Sequence, residues 1–130
     1  MKYLSEIMEN QQSELFKSKK VFFAFSNEQF KKGLLEHKIA KDIKMASMGA
    51  GMYCPKSNAK DVAESLHTIY KESIIEDMKQ GEEKVILREL RNHECFYTGD
   101  ITDCVEKLSD YPINKEEIKN VYFKNYKNEV

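Results

Sequence analysis

The sequence predicts a mostly helical α+β domain in which a small antiparallel sheet packs against the helices. The length of 130 residues matches one ordinary domain. Several long segments repeat apolar residues with the 3.6-residue period of a helix. Two short segments have patterns that are typical of strands. Segment 21–25 is rich in aromatic and β-branched residues, and segment 44–54 alternates in polarity. We therefore expect a single domain over residues 1–130, with the sheet at about 21–25 and 44–54.

The N-terminal segment predicts a helix, a strand and a second helix. Residues 2–18 place most apolar side chains near one face, as an amphipathic helix does: Leu4, Ile7, Met8, Leu15 and Phe16. The uninterrupted apolar run Val21–Phe25 predicts a buried strand. Ser26 followed three residues later by Gln29 is a capping-box pattern, so a helix is expected from 27 to about 37. Its buried side is expected to carry Phe30, Leu34 and Leu35.

In the second strand segment, 44–54, every second residue is apolar: Ala46, Met48, Ala50, Met52 and Cys54. This alternation is typical of a half-buried sheet. The run Gly49–Gly51 predicts a tight turn or a bulge within it. Pro55 is expected to end the strand because proline has no N–H to donate.

The rest of the chain predicts four helices. Ser57 is expected to cap a long one, about 58–79, and a second is expected over Glu82–Phe96. A third starts at Thr98 or Asp100. Asn114 with Glu117 is a cap pattern for the last helix, which carries Ile118, Val121, Tyr122 and Tyr126.

Composition excludes several classes of protein. Hydrophobic residues make up 41% and charged residues 33%, with 5 Gly and 2 Pro, which excludes collagen-like and most disordered chains. The longest apolar runs fall well short of the ~20 residues that cross a bilayer. The N-terminus turns polar at once, unlike a signal peptide. The 3 cysteines fit a reducing compartment, so we expect a cytoplasmic protein without membrane contact.

Charge is distributed unevenly along the chain. Residues 1–60 carry 11 Lys and 6 acidic residues, a balance of +5, whereas residues 61–130 have a balance of −6. The basic half could meet phosphate and the acidic half a basic partner. With only 2 arginines, sequence-specific nucleic-acid recognition is not expected.

Lysines also flank the phenylalanines of the first strand, a pattern that can bind single-stranded nucleic acid: Lys17, Lys19, Lys20, Lys31 and Lys32 around Phe22, Phe23, Phe25 and Phe30. Because those phenylalanines lie where a core strand is predicted, surface lysines around a buried strand are the favoured interpretation.

Three stretches occur together: Phe22–Phe30, Ser47–Asn58 and Arg88–Ile101. With them, and with the closing Asp110–Ile113 and Glu116–Ile118, the chain resembles a family of small proteins of uncharacterised function encoded by phages and prophages of gut bacteria. The resemblance implies no activity. It does imply a mobile-element context, in which a small protein acts on host machinery.

The candidate polar site is Glu89, His93, Glu94, Tyr97 and Asp100. On one helix, Glu89, His93 and Tyr97 would form a row that could support acid–base chemistry. Alternatively, His93 belongs to the apolar face of Ile86 and Leu90 as a core histidine, which is the favoured interpretation. No nucleophile with its base is visible, and the spacing of Cys and His predicts no metal site.

A second candidate is the Gly49–Ser57 strand-to-helix junction. Its candidate ligand-binding residues are Gly49, Gly51, Lys56 and Ser57, since a helix N-terminus beside a lysine attracts phosphate. The spacing of a P-loop is absent, so a plain turn is favoured.

The third candidate is the last helix, where Tyr122, Phe123 and Tyr126 put aromatic rings on more than one side and could bind a partner.

We expect a non-enzymatic phage- or prophage-type protein that modulates or inhibits a host protein, a defence-system component being one such target. It would act in the host cytoplasm, without a cofactor. The alternative is a small-nucleotide binder at the Gly49–Ser57 junction. Self-association stays open.

Overall fold

The computed structural model describes residues 1–129 and confirms the predicted α+β class. The described chain is 65% helical, with seven α-helices and a three-stranded antiparallel sheet. It forms two compact units that divide within a helix, between Ser73 and Ile74. The sheet unit is Leu4–Ser73. The helical unit is Met1–Tyr3 together with the residues from Ile74 onward.

The sheet unit contains two helices, three strands, a 3-10 turn and most of a third helix. In chain order they are α1 (Leu4–Ser18), β1 (Phe22–Phe23), α2 (Asn27–Glu36), β2 (Met45–Gly49), β3 (Met52–Pro55), the 3-10 turn Lys56–Asn58 and α3 (Ala59–Met78). The strand order is β1-β3-β2, and both pairings are antiparallel.

The β2–β3 hairpin turns at Gly49, Ala50 and Gly51, whose φ angles are +90°, +51° and +80°. Glycine adopts such angles without the clash that a Cβ causes, so two of the three positions are unstrained. The register shifts between Ser47 and Gly49. The tight turn and the bulge that the sequence left as alternatives are therefore both present.

The first strand is shorter and less buried than predicted. Only Phe22 and Phe23 pair, with Tyr53 and Met52 of β3, and β1 is an edge strand with a neighbour on one side. Phe22 is buried, but Phe23 is 47% exposed and Phe25 is 77% exposed. The prediction of a buried strand is wrong for these two phenylalanines.

Helix α2 begins at the predicted cap residue, Ser26, although the Gln29 side chain bonds to the residue before the cap. The Ser26 Oγ accepts the Gln29 N–H at 3.2 Å, and the Gln29 Oε1 accepts the Phe25 N–H at 2.7 Å. Two of the three residues predicted on its buried side, Phe30 and Leu34, pack against the core of the sheet unit, but Leu35 is 78% exposed. The helix approaches the sheet through Gly33, where a Cβ would lie 2.3 Å from the Phe22 ring. A contact centred on Gly33 leaves Leu35 on the outer side.

Helix α3 begins without the predicted cap. Ser57 lies inside the 3-10 turn, and its side chain has no hydrogen bond to a described residue. The neighbouring Asn58 Nδ2 instead donates to the Lys19 carbonyl at 2.9 Å, which joins the turn to the end of α1.

The helical unit contains the last turn of α3 and four further helices: α4 (Glu82–Asn92), α5 (Cys95–Thr98), α6 (Thr102–Lys107) and α7 (Lys115–Glu129). Its most completely buried apolar side chains are Val85, Ile86, Leu90, Cys95, Cys104, Leu108 and Ile118. Helix α7 begins as predicted, because the Asn114 Oδ1 accepts the Glu117 N–H at 2.8 Å.

The helix predicted over 82–96 is interrupted at Glu94, whose φ of +54° is left-handed. Such a residue costs about 1–2 kcal/mol. The break turns Cys95 and Phe96 into the core, where Phe96 stacks on Tyr122 with ring centroids 5.1 Å apart. Burial of one Phe side chain contributes about 1.5–3 kcal/mol, which offsets the strain.

Candidate functional site

The predicted polar site is divided by the break at Glu94. The structure brings Glu89 and His93 together, with the His93 Nε2 3.7 Å from the Glu89 Oε1. Tyr97 lies beyond the break and is 90% exposed. Asp100 lies in the loop before α6, where its Oδ1 accepts hydrogen bonds from the N–H and the hydroxyl of Thr102. Those bonds lower the pKa of Asp100, and the predicted helical row of Glu89, His93 and Tyr97 is wrong.

Glu89 also belongs to a buried group of charged and polar side chains. We define the Arg88 cluster as Asp77, Arg88, Glu89 and Tyr111. The Arg88 guanidinium donates to both Asp77 oxygens, at 2.7 and 2.9 Å, and through Nε to the Glu89 Oε2 at 2.6 Å. The Tyr111 hydroxyl donates to the Asp77 Oδ2 at 2.5 Å. The side chains of Asp77, Arg88 and Glu89 are 0%, 6% and 2% exposed, so these charges are almost fully removed from water.

The hydrogen bonds decide the protonation of the cluster. Burial would raise the pKa of Asp77, but the bonds from Arg88 and Tyr111 outweigh it and hold that pKa below its ordinary value. Burial would lower the pKa of Arg88, and the bonds to Asp77 and Glu89 raise it instead. Burial and the Asp77 carboxylate raise the pKa of Tyr111. Asp77 and Arg88 therefore keep their ordinary charges at neutral pH, and Tyr111 stays neutral.

The cluster also fixes the first residues of the chain. The Lys2 carbonyl accepts from the Arg88 Nη1 at 2.8 Å and from the Gln80 Nε2 at 3.0 Å. The Lys2 N–H donates to the Gln80 Oε1 at 3.0 Å. The Arg88 guanidinium lies 5.7 Å from the centre of the Tyr3 ring, within cation–π range. The Arg88 cluster thus connects Lys2 and Tyr3 to the end of α3 and to α4.

His93 fits neither of the roles considered for it. It is the C-terminal cap residue of α4, and its side chain is 27% exposed. Within the described residues, its Nε2 is buried and has no hydrogen-bond partner. It is therefore not the hydrogen-bonded core histidine of the favoured interpretation, nor does it lie in the row that acid–base chemistry would use.

The cysteines are poor nucleophiles. All three are free and buried. Burial raises the pKa of the Cys54 and Cys95 thiols, and it raises that of Cys104 to about 12. A thiol with such a pKa is almost entirely protonated at neutral pH. Among residues 1–129, no group of three or more His, Cys, Asp or Glu side chains is arranged to hold a metal ion.

The junction residues do not form one site. Gly49 and Gly51 lie in the hairpin turn before β3, whereas Lys56 and Ser57 lie after it, in the 3-10 turn. The strand separates the two pairs, so the structure does not place the lysine beside the glycines. Gly51 lies instead against the Phe25 ring, and a Cβ there would be 2.4 Å from its Cε1.

The α7 aromatic face consists of Tyr122, Phe123 and Tyr126. Phe123 is 71% exposed and Tyr126 is 43% exposed. Both rings contact the buried Tyr122 ring, at centroid distances of 5.2 and 5.7 Å. Tyr122 in turn stacks on Phe96 with an angle of 7° between the planes. Two of the three predicted partner-binding residues are thus exposed. Both pack on the third, Tyr122, which is buried and is not itself available to a partner.

Sequence reasoning missed the importance of Asp77 and Tyr111. A signal for Asp77 exists, because it follows Ile74 by three residues and so lies on the apolar side of α3. A carboxylate at such a position needs a buried partner. Arg88, one of 2 arginines in the chain, is the residue most suited to that role.

The fold and these surfaces define a small, mostly helical α+β protein with a buried ionic core and an exposed aromatic face. The chain belongs to the family of unknown function DUF7659, whose model matches residues 4–128. No curated protein and no solved structure matches the chain. Among the described residues, no helix has both the length and the apolar character needed to span a membrane.

Proposed function

We propose that the protein is a non-enzymatic binding protein that acts through the α7 aromatic face on another protein. The carrying observation is that Phe123 and Tyr126 are exposed while their rings rest on the buried Tyr122. Aromatic side chains are enriched among the residues that dominate binding energy. Rings that are already held by neighbours lose less freedom when a partner covers them.

The chemistry of the interior supports a binding role over catalysis. The carboxylates of the Arg88 cluster already accept hydrogen bonds from Arg88 and Tyr111. The thiols are buried and have raised pKa values. The polar groups most suited to catalysis are therefore used to stabilise the fold. The Gly49–Ser57 alternative has less support, since its residues lie at opposite ends of β3.

The charges around the face indicate the kind of surface it would meet. Lys119 and Lys127 lie four residues before and after Phe123, so all three fall on one side of the helix. Lys119 pairs with Glu116 at 3.5 Å, and Lys127 has no ion pair with a described residue. A partner with an apolar pocket bordered by carboxylates would fit this arrangement.

The identity of the partner follows from the resemblance rather than from the geometry. The proposal includes a phage or prophage origin in gut bacteria and a host protein as the target, modulated or inhibited in the host cytoplasm. A component of a host defence system is one such target.

The test is comparative affinity capture from lysate of a gut bacterium, using the wild type, Phe123→Ala and Ile75→Ala. Ile75 is the matched control because it is an exposed apolar residue (60%) of the same unit on another helix. We expect one protein to be enriched by the wild type and the control. Its affinity, measured with purified components, should fall about 30-fold or more with Phe123→Ala, the loss typical of a central interface residue.

Melting curves of the two variants establish that both are folded. If the wild type and Phe123→Ala capture the same proteins with equal affinity, the α7 aromatic face is not the binding surface and the proposal fails.

A further inference from the structure

A second exposed aromatic site lies in the sheet unit, at Phe25. Its ring is 77% exposed and rests on Gly51 of the hairpin turn. Any side chain at position 51 would overlap the ring, and the φ of +80° there also favours glycine. The turn therefore supports the Phe25 ring from below and leaves its outer face to solvent.

Phe25 forms one wall of an open depression of about 560 Å³. Phe30 and Tyr53 line it as well, and their rings meet edge to face with centroids 5.0 Å apart. Asn27 also lines it. Within residues 1–129, neither the Asn27 side chain nor the Tyr53 hydroxyl has a hydrogen-bond partner. Aromatic walls with a few unoccupied polar groups are typical of sites that take a flat, hydrogen-bonding ring.

The segment that builds this depression is strongly basic. Residues 19–60 contain nine Lys, three acidic residues and no Arg, a balance of +6. Three of the nine pair with carboxylates, at distances of 3.6 to 4.0 Å. The other six are exposed and have no ion pair with a described residue: Lys20, Lys31, Lys38, Lys41, Lys44 and Lys56. The positive charge of this segment attracts a polyanion to it.

We propose that the sheet unit binds single-stranded nucleic acid without sequence preference, with a base stacked on Phe25 and the lysines on the phosphates. Stacking on an exposed ring needs a base that is not already stacked in a duplex. Lysine contacts phosphate as a point charge, and the absence of arginine from 19–60 removes the side chain that most often reads base edges. This function is independent of the α7 aromatic face, which lies in the other unit.

The test is fluorescence anisotropy with a labelled oligothymidylate of about 15 nucleotides, long enough for one small binding domain. The variants are Phe25→Ala, Phe25→Tyr and Leu35→Ala. Leu35 is the matched control, because it is equally exposed (78%) in the same unit but does not line the depression.

We expect Phe25→Ala to weaken binding by roughly 5- to 150-fold, the loss that one stacked base accounts for. Phe25→Tyr, which keeps an aromatic ring, and Leu35→Ala should retain nearly all of the affinity. With about three phosphate contacts, raising the salt from about 50 to 200 mM should weaken binding roughly 20-fold.

Three results would overturn the proposal. The first is no binding by the wild type at low salt. The second is equal affinity of the wild type and Phe25→Ala, with both shown to be folded by circular dichroism. The third is competition by duplex DNA or polyglutamate as strong as that by unlabelled oligothymidylate, which would identify a general attraction for polyanions. None of these results bears on the α7 aromatic face.

Discussion

Replacement of Arg88 by Met tests whether the Arg88 cluster stabilises the helical unit. Methionine keeps most of the apolar length of arginine but removes the charge, so Asp77 and Glu89 lose their shared partner. Both carboxylates are at most 2% exposed and cannot recover hydration without local opening. Breaking a buried ion pair from one side costs about 3–5 kcal/mol.

That cost is a large part of the about 5–15 kcal/mol by which proteins are stable. We therefore expect Arg88→Met to lower the free energy of unfolding by about 4 kcal/mol, and the melting temperature by roughly 15 °C. The assay is urea unfolding followed by far-ultraviolet circular dichroism at neutral pH.

Arg91→Met is the matched control. Arg91 lies on the same helix and donates two hydrogen bonds to the Glu129 Oε1, but its side chain is 57% exposed. Solvent-exposed pairs contribute at most about 1 kcal/mol. If the two variants differ by less than about 1 kcal/mol, the reasoning from burial is refuted. Neutralising both carboxylates with Asp77→Asn and Glu89→Gln should restore part of the stability lost in Arg88→Met.

Two further predictions concern close packing and pH. Gly33→Ala should destabilise the protein by about 1–2 kcal/mol in urea unfolding although alanine favours helices, because its Cβ would lie 2.3 Å from the buried Phe22 ring; a stabilised variant would contradict this. Tyr111→Phe should cost about 1.5–3 kcal/mol at pH 7, since it removes a hydrogen bond to a charged carboxylate. The pKa of Asp77 is lower in the folded state than the ordinary value of about 3.9, so the stability it contributes is present above about pH 4 and is lost as the pH falls below it. The difference between Tyr111→Phe and the wild type should therefore narrow in acid; a constant difference would show that Tyr111 does not act through the charge of Asp77.

The features that could be predicted from the sequence depend on neighbours along the chain. The caps at Ser26 and Asn114 were found because each pattern spans only four residues and the hydrogen bonds form within it. The turn at Gly49–Gly51 was found because glycine marks backbone angles that other residues avoid. Apolar periodicity likewise identified the long helices.

The features that could not be predicted depend on distant partners. Phe25 lies beyond the end of β1 with its ring against the distant Gly51, and no local sequence pattern indicates that contact or its exposure. The break at Glu94 is unfavourable locally and is stabilised by the burial of Phe96 against Tyr122. The contact of Arg88 with Asp77 and Tyr111 joins side chains of α4, α3 and the segment before α7.

The hydrogen bonds between Lys2 and Gln80 also constrain the order in which the chain can fold. They join residues 78 positions apart, whereas the β2–β3 hairpin and the capped helices form within short segments. The entropic part of the free energy of closing a loop of that length is roughly 2 kcal/mol larger than for a loop of about ten residues. On the ribosome, Lys2 is synthesised long before Gln80 and Arg88 exist to receive it. The first residues of the chain are therefore expected to be among the last to reach their native positions.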